Sequence, residues 1–113
     1  MQNPSELRLK PAAQELLDLF DSRFFAALSE PTRVDILKLL IVNGRADIAA
    51  IAQHLPQDRS VISRHLKLME EAGILMREKE GRHVFYQVSA QGIIGRLETI
   101  LDQVKRAVAA CCP

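Results

Sequence analysis

The sequence of 113 residues contains no tryptophan, one tyrosine and four phenylalanines, so a folded core must consist mainly of aliphatic side chains. No apolar run approaches the roughly 20 residues that a membrane-spanning helix needs. The N-terminus has no basic start followed by an apolar segment, which argues against a signal peptide, and we expect a cytoplasmic protein. In that compartment the two cysteines are expected to be free thiols.

The sequence also lacks a strong net charge, which is +1 at pH 7, so binding to nucleic acid would require a local basic surface. Motifs for catalysis are missing as well: there is no set of Ser, His and Asp, no phosphate-binding loop and no cluster of carboxylates. Apolar residues make up 48% and charged residues 26%, which is typical of a folded protein. We therefore expect one folded, non-enzymatic domain over residues 11–110, a flexible segment at 1–10 and a cysteine-containing tail at 111–113.

The first half of the sequence has the periodicity of helices. Apolar residues recur at three- and four-residue intervals after Pro11, and a second helix is expected to start at Pro31 and to stop before Gly44. A short third helix precedes a fourth, for which Asp58 is a suitable N-cap and Gly73 a stop signal. The chain is therefore expected to begin with four helices, the last two in a helix–turn–helix arrangement.

A hairpin and a long helix complete the pattern. Residues 74–79 and 84–88 are typical of strands, and the turn at 80–82 predicts a β-hairpin between them. Ser89 can cap a final, strongly apolar helix, which gives a mainly α fold in the order α-α-α-α-β-β-α. Because so short a chain has little other core to cover this helix, we expect a homodimer. The side chains expected at its interface are Phe20, Phe24, Leu97, Leu101, Val104 and Val108.

The fourth helix, within "SVISRHLKLMEEAGIL" at 60–75, combines two different faces. Ile62, Leu66 and Met69 form an apolar stripe, while the opposite side is polar and basic without an acid. Serine and arginine can hydrogen-bond base edges, lysine suits a phosphate, and such a helix fits the major groove of DNA. The side chains expected to contact DNA are Arg59, Ser60, Ser63, Arg64 and Lys67 on this helix, and Lys79, Arg82 and His83 on the hairpin, which would act as a wing.

Three segments of the chain resemble the ArsR–SmtB family of bacterial winged-helix repressors: "ALSEPTRVDILKLL" at 27–40, "SVISRHLKLMEEAGIL" at 60–75 and "REKEGRHVFYQVS" at 77–89. The resemblance covers about residues 15–108 and implies a winged helix–turn–helix homodimer built on its first and last helices. It also implies a repressor that binds an imperfect inverted repeat in double-stranded DNA and releases it when an inducer binds. His65 belongs to the motif and is expected to steady the helix rather than to contact a base.

The resemblance also indicates where inducers bind, and two of the family's metal sites are missing from this sequence. One of these sites is a cysteine pair in the helix before the fourth helix. In this sequence its two positions are occupied by Asp47 and Ala49. A zinc site along the last helix needs histidines, but that helix offers only Glu98 and Asp102. No zinc site of this kind is therefore expected.

Cys111 and Cys112 remain as candidate ligands. Adjacent cysteines rarely form a disulfide, because the small ring is strained, and two free thiolates suit a soft ion. We expect trivalent arsenic or antimony to bind this pair as inducer, with a small thiol, water or a group of the partner subunit as third ligand. The alternatives are cadmium, mercury or lead, or oxidation by peroxide or persulfide, or a tail with two incidental cysteines. For the whole chain, a winged-helix interaction module without an operator is a further alternative.

Overall fold

The computed structural model describes residues 11–20 and 22–111. The elements are α1 (Pro11–Phe20), α2 (Arg23–Leu28), α3 (Pro31–Asn43), β1 (Ala46–Asp47), α4 (Ile48–Ala52), α5 (Arg59–Glu71), β2 (Leu75–Glu80), β3 (His83–Val88) and α6 (Ala90–Cys111). The predicted mainly helical fold with a β-hairpin is confirmed. The predicted flexible segment at 1–10 lies outside the described residues, and α6 extends one residue into the predicted tail.

The first predicted helix is in fact two helices, α1 and α2. Ser22, at the N-cap of α2, has an extended backbone with φ −74° and ψ 158°, and its hydroxyl forms no capping hydrogen bond. An extended residue interrupts the ladder of hydrogen bonds, so the apolar residues on either side belong to different helices. Consequently α1 packs against α6, whereas α2 packs against α3 and α5.

Helix α3 begins and ends at local signals. Glu30 is its N-cap, with a carboxylate oxygen that accepts a hydrogen bond from the backbone N–H of Arg33 at 3.0 Å, and Pro31 follows in the first turn. Partial desolvation raises the pKa of Glu30, but hydrogen bonds from Arg33 and Thr32 outweigh it and leave the pKa below its ordinary value. The helix stops at Gly44, whose φ of 77° suits glycine.

A small antiparallel sheet has the strand order β1-β3-β2. In the hairpin, Leu75 pairs with Val88 and Glu80 with His83, so the turn consists of only two residues. The sequence did not predict β1, in which Ala46 pairs with Tyr86. A strand of two residues is too short to show alternation, and it is defined only by its partner. Through β1 the segment before α4 is bonded to the hairpin.

The core lies between α3, α4, α5 and the strands and is aliphatic, as the scarcity of aromatic residues predicted. Burying each of these large side chains contributes roughly 1.5–3 kcal/mol. The largest fully buried side chains are Ile36, Ile51, Ile62, Leu66, Met69 and Ile74. Ile93 and Ile100 of α6 pack at the edge of this core, together with Tyr86 of β3.

Helix α6 starts in close contact with the loop that follows α5. The backbone N–H of Ser89 donates to the carbonyl oxygen of Ile74 at 2.8 Å. The Ser89 hydroxyl accepts from the N–H of Gly92 at 3.1 Å, which confirms the predicted cap. A methyl group at Gly92 would overlap the carbonyl oxygen of Gly73, so only glycine allows this approach. The end of α5 and the start of α6 therefore form one packed joint.

Candidate nucleic-acid interface

Helix α5 has the two faces that the sequence predicted. Ile62, Leu66 and Met69 have no exposed surface at all. The five side chains predicted to contact DNA from this helix are all exposed: Arg59, Ser60, Ser63, Arg64 and Lys67. The apolar face therefore fixes the helix on the core and leaves the polar face free for a ligand. Contact of that face with DNA stays a prediction.

The turn before α5 is tied to α3. Asp58 occupies the N-cap position, and its backbone carbonyl accepts from the N–H of Ile62 at 3.0 Å, but its side chain forms no capping bond. The side chain of Gln57 instead donates to the hydroxyl of Thr32 at 3.0 Å. Thr32 is itself buried. This bond, which the sequence did not predict, anchors the turn to α3.

Arg33 connects three helices at the back of α5. Its guanidinium donates to the carbonyl oxygens of Ala26 at 2.8 Å and Ala27 at 3.0 Å, which lie in the last turn of α2. Its third nitrogen lies 3.3 Å from Nδ1 of His65. A guanidinium can only donate, so Nδ1 is the acceptor in this hydrogen bond. The structure thus places His65 in a hydrogen bond inside the protein, in agreement with its predicted role.

The hairpin and α5 line a shared surface groove. Arg77 and Tyr86 face each other across the two strands, and both line this groove together with Ser63 and Lys67. Arg77 is a candidate for contact with DNA that the sequence interpretation missed. Its signal was the alternation in β2, which puts Arg77 and Lys79 on the same face of the strand.

A second groove adjoins the first at Ser63 and reaches the tip of the hairpin. Arg82 and His83 line it, so the structure brings these two predicted residues close to the middle of α5. Lys79 is exposed but lines neither groove, and Arg59 lies at the exposed start of α5. The two grooves thus bring together Ser63, Lys67, Arg82 and His83, and the other predicted residues are exposed outside them.

Charge on this surface is uneven. Glu70 and Glu71 line the first groove at the C-terminal end of α5, whereas Arg59 and Arg64 lie toward its N-terminal end. A polyanion is attracted to the basic end and repelled from the acidic one. The N-terminal half of α5 is therefore the part best suited to approach a nucleic acid.

The opposite face of the hairpin carries its own ion pairs. Arg45 forms two hydrogen bonds with the carboxylate of Glu80, at 2.9 and 2.8 Å, and lies 3.5 Å from Glu78. The hydrogen bond from Arg45 lowers the pKa of Glu80 and in turn raises that of Arg45. Nδ1 of His83 lies 3.7 Å from a carboxylate oxygen of Asp47. His83 is thus exposed yet has an acidic neighbour.

Helix α6 has an exposed apolar stripe besides the side chains it packs on its own chain. The exposed fractions are 51% for Leu97, 54% for Leu101 and 54% for Val108, and Val104 is half-buried. We call the exposed stripe, which consists of Ile94, Leu97, Leu101 and Val108, the outer stripe of α6. Despite its length of 22 residues, α6 is not apolar enough to cross a membrane, nor is any other helix of the described chain.

One expected interface residue is not supported. Phe24 is 4% exposed and belongs to the core cluster of its own chain, where its ring meets that of Phe25 edge to face with centroids 5.6 Å apart. A ring with so little free surface cannot contribute much to a dimer. The side chain of Phe20 lies outside the described part of the structure.

The candidate inducer ligands are at the end of α6. The backbone of Cys111 belongs to its last turn, while the Cys111 side chain and the whole of Cys112 lie outside the described residues. Asp47, at one of the two family thiol positions, is the N-cap of α4 and accepts from the N–H of Ala50 at 2.8 Å. Within the described residues no group of three or more His, Cys, Asp or Glu side chains could hold a metal ion.

Similar sequences extend over most of this architecture. A sequence profile described as "Bacterial regulatory protein, arsR family" matches residues 30–76. An uncharacterized HTH-type transcriptional regulator of Methanocaldococcus jannaschii is 39% identical over 67 residues, which cover 59% of this chain and 75% of that protein. The arsenical resistance operon repressor of Escherichia coli is 35% identical over 71 residues, 63% of this chain and 61% of the repressor.

Solved structures share the same fold. A possible transcriptional regulator for arsenical resistance has a TM-score of 0.62 and 31% identity, over 81% of this chain and 99% of that one. A homodimeric winged helix–turn–helix DNA-binding domain of Mycobacterium bovis has a TM-score of 0.63, over 88% and 90%; at 24% identity it shows the fold alone. Together with the arrangement of α5 and the hairpin, these similarities define a winged helix–turn–helix protein. The chain belongs to the ArsR family of bacterial regulatory proteins, a family of DNA-binding transcriptional regulators.

Proposed function

We propose that this protein is a transcriptional repressor that inserts α5 into the major groove of an operator and places the β2–β3 hairpin, the wing, against the adjacent backbone. The observation that carries the proposal is the division of α5 into a fully buried face and an exposed polar face. Such a helix is rigid toward the core and free toward solvent, which is the arrangement that major-groove recognition needs. A regulator of this kind would act where the chromosome is, in the cytoplasm.

The repressor is proposed to act as a homodimer. The outer stripe of α6 and the half-exposed Leu17 of α1 would be covered by the same surface of a second copy. The Mycobacterium bovis domain of the same fold is described as homodimeric, which supports this assembly. Two copies of α5 related by a twofold axis match an inverted repeat with half-sites about one helical turn apart.

The DNA-binding proposal is tested by titrating labelled inverted-repeat DNA, selected from a random library, with the full chain at several salt concentrations. Specific binding whose affinity falls steeply with salt is expected, because basic side chains displace counterions from the phosphates. A protein that selects no sequence, or binds all DNA equally, would instead be an interaction module with a winged-helix fold.

Release is proposed to follow from binding of trivalent arsenic or antimony to Cys111 and Cys112. Two neighbouring thiolates suit a soft ion, and the chain has no other cysteine. The Escherichia coli relative is named as an arsenical resistance operon repressor, which supports a metalloid as inducer. Because Cys111 ends the helix that carries the outer stripe, ligation there would act on the dimer and shift the spacing of the two copies of α5.

Serine substitutions at the two cysteines test this inducer site. Cys111→Ser, Cys112→Ser and the double variant should bind the operator like wild type, since both positions lie outside the winged part. Wild type should lose roughly 10- to 1,000-fold in operator affinity on adding arsenite or antimonite, and the variants should not respond. The measurement is fluorescence anisotropy under reducing conditions, with zinc expected to have little effect.

Two results would replace this proposal. If the double serine variant still releases DNA with arsenite or antimonite, the metalloid binds elsewhere. If wild type ignores both but responds to peroxide, persulfide, cadmium, lead or mercury through the same cysteines, the protein is a thiol redox sensor or a heavy-metal sensor.

A further inference from the structure

A single arginine joins the segment before β1 to both strands of the wing. The guanidinium of Arg45 donates to both carboxylate oxygens of Glu80, and one of its nitrogens lies 3.5 Å from Glu78. Its central carbon lies 4.1 Å from the centroid of the Phe85 ring, close enough for a cation–π interaction. Bidentate pairing and stacking together define the orientation of the guanidinium more closely than a single ion pair would.

The contacts of Arg45 all lie on one face of the wing. The register pairs Glu78 with Phe85 and Arg77 with Tyr86, and side chains alternate along a strand. The wing therefore has a basic face with Arg77, which lines the groove beside α5, and an acidic face with Glu78 and Glu80. Both faces are within a Debye length of any phosphate that the wing touches, so the carboxylates would repel DNA.

Arg45 is suited to remove that repulsion. Without Arg45, the two carboxylates would cancel most of the positive charge of the hairpin. That charge comes from Arg77, Lys79 and Arg82. With it, one carboxylate is paired directly and the second has a cation nearby. The same contacts hold the hairpin against β1, which is only two residues long and forms few ladder bonds of its own.

We propose that Arg45 is a positioning residue of the DNA-binding wing: it anchors the hairpin to the β1 segment and neutralises Glu78 and Glu80 where DNA approaches. The neutralising role rests on the proposed function, whereas the anchoring role can be measured without DNA. Arg45 acts here through the wing and not by contact with a base or a phosphate.

The anchoring role is tested by amide hydrogen exchange of the free protein. In Arg45→Ala, exchange in residues 75–88 should become about three- to tenfold faster, because the hairpin opens locally, while residues 62–69 of α5 keep their protection. Arg96→Ala, at an exposed arginine of α6, is the matched control and should change neither segment. Unchanged hairpin exchange in Arg45→Ala contradicts anchoring, and loss of protection in α5 as well shows a role in the whole fold instead.

The neutralising role is tested on DNA. Arg45→Ala should weaken binding to operator and random DNA alike, by about three- to tenfold at moderate salt. The triple variant Arg45→Ala, Glu78→Gln, Glu80→Gln should regain most of that affinity, since the unpaired carboxylates are then gone. If the triple variant is as weak as Arg45→Ala, or the loss is confined to the operator, Arg45 contacts DNA itself and the proposal is wrong. If wild type binds no DNA, the proposed function fails, and hydrogen exchange still decides the anchoring.

Discussion

The winged part of the molecule, which consists of the helix–turn–helix and the hairpin, and helix α6 have the same kind of apolar sequence pattern. The two regions differ in how far the apolar side chains are buried. On α5, Ile62 and Leu66 have no exposed surface, whereas Leu97 and Leu101 on α6 are 51% and 54% exposed. Both helices show apolar residues at helical spacing. The pattern predicts that a face will be covered, but it does not tell whether the same chain or another one covers it.

The inner side of α6 makes the comparison sharper. Ile93 and Ile100 pack against the core of their own chain, and Ala107, seven residues further along, is 5% exposed. The outer stripe runs beside these residues. Ile93, Ile100 and Ala107 each precede a residue of the outer stripe by one position, so the sequence shows only that the whole helix is strongly apolar. One helix therefore serves both the fold of the chain and the expected dimer.

The largest effect is expected from a core deletion. Leu66→Ala should lower the free energy of unfolding by about 2–5 kcal/mol, because it leaves a cavity in a fully buried site. Leu101→Ala, a matched change on the outer stripe, should have a smaller effect that depends on protein concentration. Denaturant unfolding at two concentrations measures both. Equal, concentration-independent losses would remove the distinction between the two regions.

A charge on the outer stripe of α6 should remove the dimer. Leu101→Glu places a charge in the expected interface, at a cost of several kcal/mol, and should yield a monomer or, if α6 cannot stand alone, an unfolded chain. Gln91→Glu, an exposed position on the same helix, is the control. Sedimentation equilibrium combined with circular dichroism distinguishes the outcomes. A stable native dimer of Leu101→Glu would refute the interface.

On the exposed face of α5, substitutions of two basic residues should affect DNA binding differently. Arg64→Ala should weaken operator binding by roughly 1–3 kcal/mol per half-site and reduce the preference over random DNA, if it contacts a base. Lys67→Ala should weaken binding to all DNA sequences alike. It should also reduce the dependence of the affinity on salt concentration by about one released ion. Anisotropy titrations with both kinds of DNA provide the measurement. Unchanged operator affinity of Arg64→Ala at moderate salt would place the recognition face elsewhere.

The smallest expected effect is the pH dependence of the wing. The hydrogen bond from Arg45 lowers the pKa of Glu80 below 4.5, so its stabilising effect is complete above that value and is lost as pH falls through the lowered pKa. Hydrogen exchange of the hairpin, corrected for intrinsic rates, should therefore accelerate in acid before that of α5. Glu80→Gln should abolish this extra acceleration, and an unaltered profile in that variant would assign it to another group.

Local patterns were sufficient for most of the architecture. Helix α3 begins at Pro31 and ends before Gly44, and Ser89 caps α6. The alternation of Val84, Tyr86 and Val88 predicts a strand. Each of these signals depends on residues a few positions apart. The division of α5 into a buried and an exposed face was predictable for the same reason, since helical spacing alone sorts its side chains.

The sequence by itself therefore determined the class of fold, the polar face of α5 and its resemblance to a family of repressors. Only the tertiary structure decided that Ser22 separates α1 from α2, that Phe24 belongs to the core and that β1 exists. It also decided the hydrogen-bond partners of two arginines. Arg33 bonds to His65, 32 positions away in the sequence, and Arg45 bonds to Glu80, 35 positions away. Contacts over such distances leave no periodic trace in one sequence, because they depend on how whole elements pack rather than on the preferences of neighbouring residues.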